Sequence, residues 1–162
     1  LNRTILCHMK TTLLIFFALF LFNSRAQSET QQEVRATIDY FFEGFHKRDT
    51  AQMRSVLGDS LHMQRIGRDA SGSPVLVHES AEAFLTSMAN LPDTLKIEER
   101  LLEYRIQTDG NMAHAWTPYE FYLQGAFHHC GVNSFQLFHD GTRWKIIYLV
   151  DTRRVQDCSP GE

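Results

Sequence analysis

The chain has 162 residues, a formal net charge of −3 and a hydrophobic share of 43%. No stretch is strongly basic and no nucleic-acid-binding motif is present, so nucleic acid is not expected as a partner. The composition is that of an ordinary globular protein, with many aromatic residues in its second half. No cofactor is expected.

The chain begins with a segment that does not resemble part of a folded domain. A short basic start at Met9-Lys10 precedes an apolar run at 13–22, and small residues then occupy the −3 and −1 positions of a cut after Ala26. This arrangement predicts a signal peptide over 1–26, with translation starting at Met9. The run is about half of the ~20 residues that a membrane anchor needs, so no membrane attachment is expected after cleavage. We therefore expect a secreted or periplasmic protein with a single domain over 27–162.

Cleavage changes the charge and the cysteine count. Thirteen Lys and Arg remain against nineteen Asp and Glu, which gives a net charge of −6. Two cysteines remain, Cys130 and Cys158. A disulfide between them is favoured because exported domains are exposed to oxidising conditions. Two free thiols are the alternative.

The first half of the mature chain predicts three helices and two short strands. The stripe of Val34, Ile38, Phe41, Phe42 and Phe45 indicates an amphipathic first helix. Thr50 and Ser80 are typical caps for the next two helices. The helices are predicted at 31–48, 51–57 and 81–90, and the strands at 60–66 and 74–78.

The second half predicts four long strands, at 95–108, 111–124, 126–139 and 143–152. Asp109-Gly110 and Asp140-Gly141 between them are strong hairpin signals. Strands of this length make a sheet that curls. The fold class is therefore α+β, with three N-terminal helices packed on a strongly curved antiparallel sheet. The expected shape is a cone with a pocket at its wide end.

Residues 30–158 as a whole resemble the nuclear transport factor 2-like (NTF2-like) superfamily, the cystatin-like cone shared by ketosteroid isomerase, scytalone dehydratase and the SnoaL-like proteins. More narrowly, the segments 116–122, 129–137 and 151–154, followed by Asp157-Cys158, are similar to a small exported bacterial branch. Members of that branch are often labelled lumazine-binding. The resemblance implies a ligand pocket inside the cone.

A two-residue turn at Asp140-Gly141 would fix the register of the last hairpin. His139 would then face Thr142, and position 133 would face 148. One face would be largely apolar and would carry His129, Asn133, Phe135, Leu137, Trp144, Ile146, Tyr148 and Val150. The other face would carry His128, Cys130, Asp151 and Arg153.

The run His128-His129-Cys130 raises two kinds of chemistry that we do not favour. Adjacent strand residues point in opposite directions, so the two histidines do not readily chelate one ion. His128 and Cys130, with Asp151 as a third ligand, still lack the fourth ligand that zinc prefers, and no metal is expected. A Cys130–His128 nucleophile has no assured orienting group, and the disulfide is favoured over it.

General acid–base catalysis is a further hypothesis, suggested by the isomerase-like relatives. The candidates are His129 or His128 as base and Asp151 as its orienting partner. The hydrogen-bond donors would be Tyr40, Tyr119, Tyr122 or Tyr148. The acid–base set of the isomerases and dehydratases is not recognisable in this chain.

Binding of a small apolar or aromatic molecule without catalysis is the preferred hypothesis, because the sheet carries many rings and few polar groups. The predicted ligand-binding residues are Tyr40, Trp116, Tyr119, Tyr122, His129, Asn133, Phe135, Tyr148 and Arg153. The arginines after Asp151 could also hold an anion. The resemblance also implies a homodimer that packs sheet against sheet, and the polar sheet face bearing Ser134, Gln136, Lys145 and Ile147 is its expected surface, with a solvated face as the alternative. A non-catalytic dimerising module is the third hypothesis.

Overall fold

The structure, a computed structural model, describes residues 28–158, so the predicted signal peptide lies outside the described residues. Over these residues the chain forms three helices and seven strands, close to the predicted order. The helices are α1 (28–47), α2 (Thr50–Ser55) and α3 (Ala81–Ala89). The strands are β1 (Leu57–Arg68), β2 (Pro74–Glu79), β3 (Ile97–Leu101), β4 (Arg105–Asp109), β5 (Met112–Leu123), β6 (Ala126–His139) and β7 (Trp144–Thr152). None of the helices in the described part of the chain combines the length and hydropathy of a membrane span.

The predicted apolar stripe of α1 forms one side of the hydrophobic core. Val34, Ile38, Phe41 and Phe42 are buried against the inner face of the sheet. The ring of Phe42 meets that of Phe135 on β6 edge to face, with centroids 6.3 Å apart. Burial of large side chains at helical spacing therefore anchors α1 to the sheet.

The ends of the shorter helices are fixed by side-chain caps. Ser80 caps α3 as predicted, and its Oγ accepts a hydrogen bond of 3.1 Å from the Ala83 backbone N–H. The cap of α2 is Asp49 rather than Thr50, since the Asp49 carboxylate accepts from the Gln52 N–H at 2.9 Å. A carboxylate at this position satisfies an otherwise unpaired amide of the first turn.

The sheet has the order β2-β1-β7-β6-β5-β3, with β4 also paired to β5. Every pairing is antiparallel except that of β1 with β7, which is parallel. The α+β class and the cone architecture are confirmed, while the sheet is mixed rather than wholly antiparallel.

The predicted strand over 95–108 is two strands. β3 pairs with the C-terminal half of β5 and β4 with its N-terminal half. Between them Leu102 turns away, and its N–H donates to the Pro118 carbonyl at 2.8 Å. Because the strand is interrupted at Leu102, two short strands, β3 and β4, pair with the same edge of β5.

The register predicted for the last hairpin is wrong. The loop has four residues, 140–143, so His139 faces Trp144. The Asp140 carboxylate accepts hydrogen bonds from the Thr142 and Arg143 amides at 2.8 and 2.9 Å, which stabilises this wider turn.

A bulge then shifts the pairing again. Leu137 faces Ile146 but Gln136 faces Tyr148, so Ile147 is an extra residue on β7. Beyond it the faces of β7 are exchanged relative to the prediction. Asn133 lies opposite Asp151 instead of Tyr148. The bulge therefore brings a carboxylate to the inner face.

Candidate functional site

A cavity of about 560 Å³, which we call the cone cavity, lies between the helices and the inner face of the sheet. Much of its wall is apolar and comes from α1, α3 and β5. The main contributors are Phe41, Phe42, Phe45, Phe84, Met88 and Phe121. The rings of Phe45 and Phe84 are parallel, with centroids 6.4 Å apart. The volume falls within the ~300–1,000 Å³ typical of small-molecule sites.

Polar side chains of the cavity cluster around Glu99 on β3. The Asn133 amide Nδ2 donates a hydrogen bond of 2.7 Å to Glu99 Oε1. Removal of the carboxyl from water raises the pKa of Glu99 to about 8, and the nearby Asp151 carboxylate adds to the effect. The Asn133 hydrogen bond and the guanidinium groups of Arg153 and Arg65 oppose it. Glu99 is therefore mostly protonated at neutral pH.

Asp151 contributes a second carboxyl to the cluster. It lies opposite Arg65 in the parallel β1–β7 pair, and Arg65 Nε donates to Asp151 Oδ2 at 3.3 Å. Burial raises the pKa of Asp151 although the Arg65 charge acts in the other direction. Arg153, two residues further on, also lines the cavity.

His129 is buried among rings at the cavity wall. Its ring lies 4.7 Å from that of Phe121 and meets Tyr119 edge to face at 5.7 Å, centroid to centroid. Burial lowers the pKa of His129 to about 4, and the charges of Arg153 and His128 add to this. The imidazole is therefore neutral at physiological pH.

The predicted pairing of His129 with Asp151 is not formed. Asp151 contacts Arg65 instead, and His129 Nδ1 lies 2.9 Å from Nδ1 of His128. One of these two nitrogens carries a hydrogen and donates it to the other. His128 is exposed and does not line the cone cavity.

Tyr119 lines the cavity, but its hydroxyl already makes a hydrogen bond within the protein. It donates to the Thr152 carbonyl at 2.9 Å. The Tyr119 ring lies directly over Gly131, where a Cβ atom would come within 2.8 Å of the ring and 1.8 Å of the Thr152 oxygen. Glycine is required at 131 because of this close approach.

Four of the nine predicted ligand-binding residues line the cone cavity: Tyr119, His129, Asn133 and Arg153. The other five lie elsewhere: Tyr40, Trp116, Tyr122, Phe135 and Tyr148.

Each of those five has an identifiable position. Tyr40 is 45% exposed on α1, and Phe135 is fully buried in the core. Strand alternation turns Trp116 and Tyr122 outward, and the Arg100 guanidinium lies 4.0 Å from the centre of the Tyr122 ring. The bulge turns Tyr148 outward as well, where its hydroxyl donates to Gln64.

Sequence reasoning missed Glu99 and Arg65. A signal for Glu99 was present, since Ile97, Glu99 and Leu101 alternate with Glu98 and Arg100 along one strand. A carboxylate at an inward position between two aliphatic residues is costly unless it has a partner or a function.

Cys130 and Cys158 are joined by a disulfide, with Cα atoms 5.6 Å apart. The backbone of Cys130 also exchanges hydrogen bonds of 2.9 and 2.8 Å with that of Arg154. The end of the described chain is thus tied to β6 next to His129. Within residues 28–158, no three His, Cys, Asp or Glu side chains converge as a metal site requires.

No protein-family model and no curated protein sequence matches the chain. Solved structures do match it. An NTF2-like protein with a cystatin-like fold from Novosphingobium aromaticivorans is similar at a TM-score of 0.64 and 12% identity, over 84% of this chain and 89% of the other. The β subunit of a proposed aromatic-ring-hydroxylating dioxygenase from the same species is similar at 0.64 and 11%, over 79% and 91%. A proposed dehydratase of the NTF2-like family from Streptomyces avermitilis is similar at 0.61 and 13%, over 79% and 98%.

These likenesses, together with the mixed sheet and its helical cover, establish that the chain has the NTF2-like, cystatin-like fold. The predicted resemblance is thereby confirmed for the fold alone. Assignment to the exported, lumazine-binding branch stays a prediction.

Proposed function

We propose that the domain binds a small apolar or aromatic molecule in the cone cavity, and that the protein is exported before it does so. The observation that carries this proposal is the composition of the cavity. A wall of phenylalanine rings provides an apolar contact surface, while the Glu99–Asn133 pair and Arg153 offer a few orienting polar groups. Such a combination is typical of small-molecule sites.

Titration with a neutral apolar dye, N-phenyl-1-naphthylamine, tests the proposal. Ser87 is exposed on α3 and lines the cavity, whereas its neighbour Thr86 is exposed and does not. We expect Ser87→Trp to reduce the increase in dye fluorescence because the indole occupies part of the cavity. Thr86→Trp is the matched control and should bind as the wild type does. Equal binding by both variants would exclude the cone cavity as the site.

A cofactor-free isomerase, dehydratase or hydrolase is the second candidate. It is favoured by the opposed titration of two groups that line the same cavity, since Glu99 keeps its proton to about pH 8 and His129 is neutral above about pH 4. Such a pair can donate and accept protons in one cavity. His129→Ala and Glu99→Gln, assayed for affinity and turnover on a compound library, distinguish the candidates. Turnover that is lost while affinity remains indicates an enzyme; a wild type without turnover on any compound leaves binding alone.

Two further parts of the proposal concern export and assembly. Expression of the full chain with its leader, followed by N-terminal sequencing, should give a protein that starts at Gln27 in the exported fraction.

A homodimer through the polar sheet face that bears Ser134, Gln136, Lys145 and Ile147 would appear as a doubled mass in sedimentation at micromolar concentration. A monomer at all concentrations would exclude the dimerising module.

A further inference from the structure

A second cavity, of about 670 Å³, lies on the face of the sheet opposite to the cone cavity. We call it the outer groove. Its floor consists of apolar side chains from three strands: Ile66 on β1, Trp116 and Pro118 on β5, and Val132 on β6. Trp116 and Pro118 point outward because Thr117 and Tyr119, which alternate with them on β5, are buried on the inner side.

Two of the apolar floor residues are open to solvent. Trp116 is 40% exposed and Ile66 is 44% exposed, while Pro118 between the strands is buried. Val132 pairs with Pro118 and Ile66 pairs with Thr152, so the floor is continuous across β5, β6, β7 and β1. An exposed indole within an apolar floor is a favourable surface for a planar ring.

The rim of the outer groove is positively charged. Four guanidinium groups line it, those of Arg68, Arg105, Arg153 and Arg154, and no carboxylate from residues 28–158 does. This concentration of positive charge is unusual in a chain whose net charge is −3. A rim of this kind attracts anions.

The four arginines differ in how far their donors are already used. Arg105, directly opposite Trp116, is held by Glu103 through two hydrogen bonds of 3.0 and 2.9 Å. Arg68 donates to the Gly72 carbonyl at 2.6 Å. The Arg154 side chain is exposed and has no hydrogen-bond or ion-pair partner among residues 28–158. Arg153 is likewise exposed and makes no side-chain hydrogen bond or ion pair within residues 28–158, so Arg153 and Arg154 have the most unused donors in the groove. Of these two, only Arg154 lines the outer groove without also lining the cone cavity.

Charge also decides between possible occupants. A symmetric contact between two copies of the chain through this groove would place the same four guanidinium groups against each other, because a twofold interface uses one patch twice. An uncharged apolar molecule would cover the floor but leave the arginine donors unpaired. A molecule with an aromatic ring and one anionic group can pack its ring on the apolar floor and pair its charge with the arginines of the rim.

We propose that the outer groove binds a small aromatic anion, an aryl carboxylate or aryl phosphate, with its ring on Trp116 and its anionic group on Arg154. This site is separate from the cone cavity and does not depend on the function proposed for it. Arg153 lines both spaces and is therefore unsuitable as a diagnostic position.

Calorimetric titration with 2-naphthoate, phenyl phosphate and the uncharged 2-naphthamide tests the proposal. We expect both anions to bind, naphthamide to bind at least about tenfold more weakly, and naphthoate affinity to fall with added salt. Arg154→Gln and Trp116→Ala should each weaken naphthoate binding by about tenfold or more, since one charged hydrogen bond or one ring contact is lost. Circular dichroism checks that both variants are folded.

Two control variants locate the binding. Arg143→Gln removes an exposed charge in the β6–β7 loop, outside the groove, and should leave naphthoate affinity unchanged. Ser87→Trp, placed in the cone cavity, should also leave it unchanged. Equal binding of naphthamide and naphthoate by Ser87→Trp, in which the cone cavity is obstructed, or loss of naphthoate binding in Ser87→Trp but not in Arg154→Gln, would overturn the proposal. Conversion of a dimer to a monomer by Trp116→Ala would overturn it too, because the groove would then be an interface between copies.

Discussion

Asn133 Nδ2 lies 2.7 Å from Glu99 Oε1, although the two residues belong to strands that are not neighbours. β5 lies between β3 and β6, so the hydrogen bond passes over its inner face. It fixes one carboxyl oxygen of Glu99 and orients the group within the cone cavity. A buried carboxyl with this partner and a raised pKa couples the stability of the fold to pH.

Glu99 should make the protein less stable as the pH rises. The folded state keeps the Glu99 proton to about pH 8, whereas the ordinary pKa of the group is 4.5. Between these values the folded protein binds more protons than the unfolded chain, so the free energy of unfolding falls with increasing pH. We expect Glu99→Gln, which keeps an oxygen for Asn133, to flatten this fall. Urea unfolding of both proteins from pH 5 to pH 8 measures the difference. The lowered pKa of His129 acts in the opposite direction below about pH 6.5, but it is common to both proteins and cancels in that difference.

Glu29→Gln is the matched control for Glu99→Gln, because Glu29 is exposed on α1. In Glu29→Gln the free energy of unfolding should depend on pH as it does in the wild type. If Glu99→Gln and wild type lose stability in parallel between pH 5 and pH 8, Glu99 does not carry the linkage.

Gly131→Ala should destabilise the protein strongly. The new methyl group would lie 1.8 Å from the Thr152 oxygen and 2.8 Å from the Tyr119 ring, so the backbone of β6 or β7 must move. We expect a loss of about 3 kcal/mol or more in the free energy of unfolding. Gly67→Ala on β1 is the control, since no atom lies within 4 Å of the position that a Cβ would take there and its cost should be small. Comparable losses in the two variants would contradict the packing described at Gly131.

Thr117→Val should stabilise the protein. Thr117 is fully buried, and within the described part of the chain its hydroxyl has no hydrogen-bond partner. Valine has nearly the same shape and removes an unpaired polar group, which costs about 1–3 kcal/mol when buried. Thermal unfolding should show a higher midpoint for Thr117→Val. Thr142→Val, in the exposed β6–β7 loop, should give no such increase. A lower midpoint for Thr117→Val would show that the hydroxyl has a partner.

Cys158→Ser should cost about 3 kcal/mol of unfolding free energy, because the bridge closes a loop with a sequence separation of 28. Val155→Ala is the control and should cost little, since Val155 lies in the same segment and is 72% exposed. Alkylation in denaturant without reductant should label neither Cys130 nor Cys158, and intact mass counts the added groups. Labelling of both would show free thiols and remove the basis for the stability difference.

Much of the fold could be predicted because local signals agree with it. The spacing of Val34, Ile38 and Phe41 predicts the buried face of α1, and Ser80 predicts the start of α3. Asp-Gly pairs correctly mark the two antiparallel connections that contain them. These features depend on a few neighbouring residues and elementary geometry.

The site was harder to predict because it depends on register. Asp140-Gly141 does not show whether its turn has two or four residues, and no local pattern announces the extra residue at Ile147. Together they decide that Asp151 faces inward and Tyr148 outward. The hydrogen bond between Glu99 and Asn133 joins two strands across a third, which no periodicity in a single strand can show.

The parallel pairing of β1 with β7 has a consequence for synthesis. β7 is made after every other strand of the described residues, yet it lies in the interior of the sheet, between β1 and β6. Until β7 has emerged from the ribosome, the chain therefore holds two unjoined pieces of sheet, one of β1 and β2 and one of β3 to β6, with no strand to connect them. Folding can be completed only after residues 144–152 have emerged. Loss of the segment that forms β7 would remove the middle of the sheet rather than its edge.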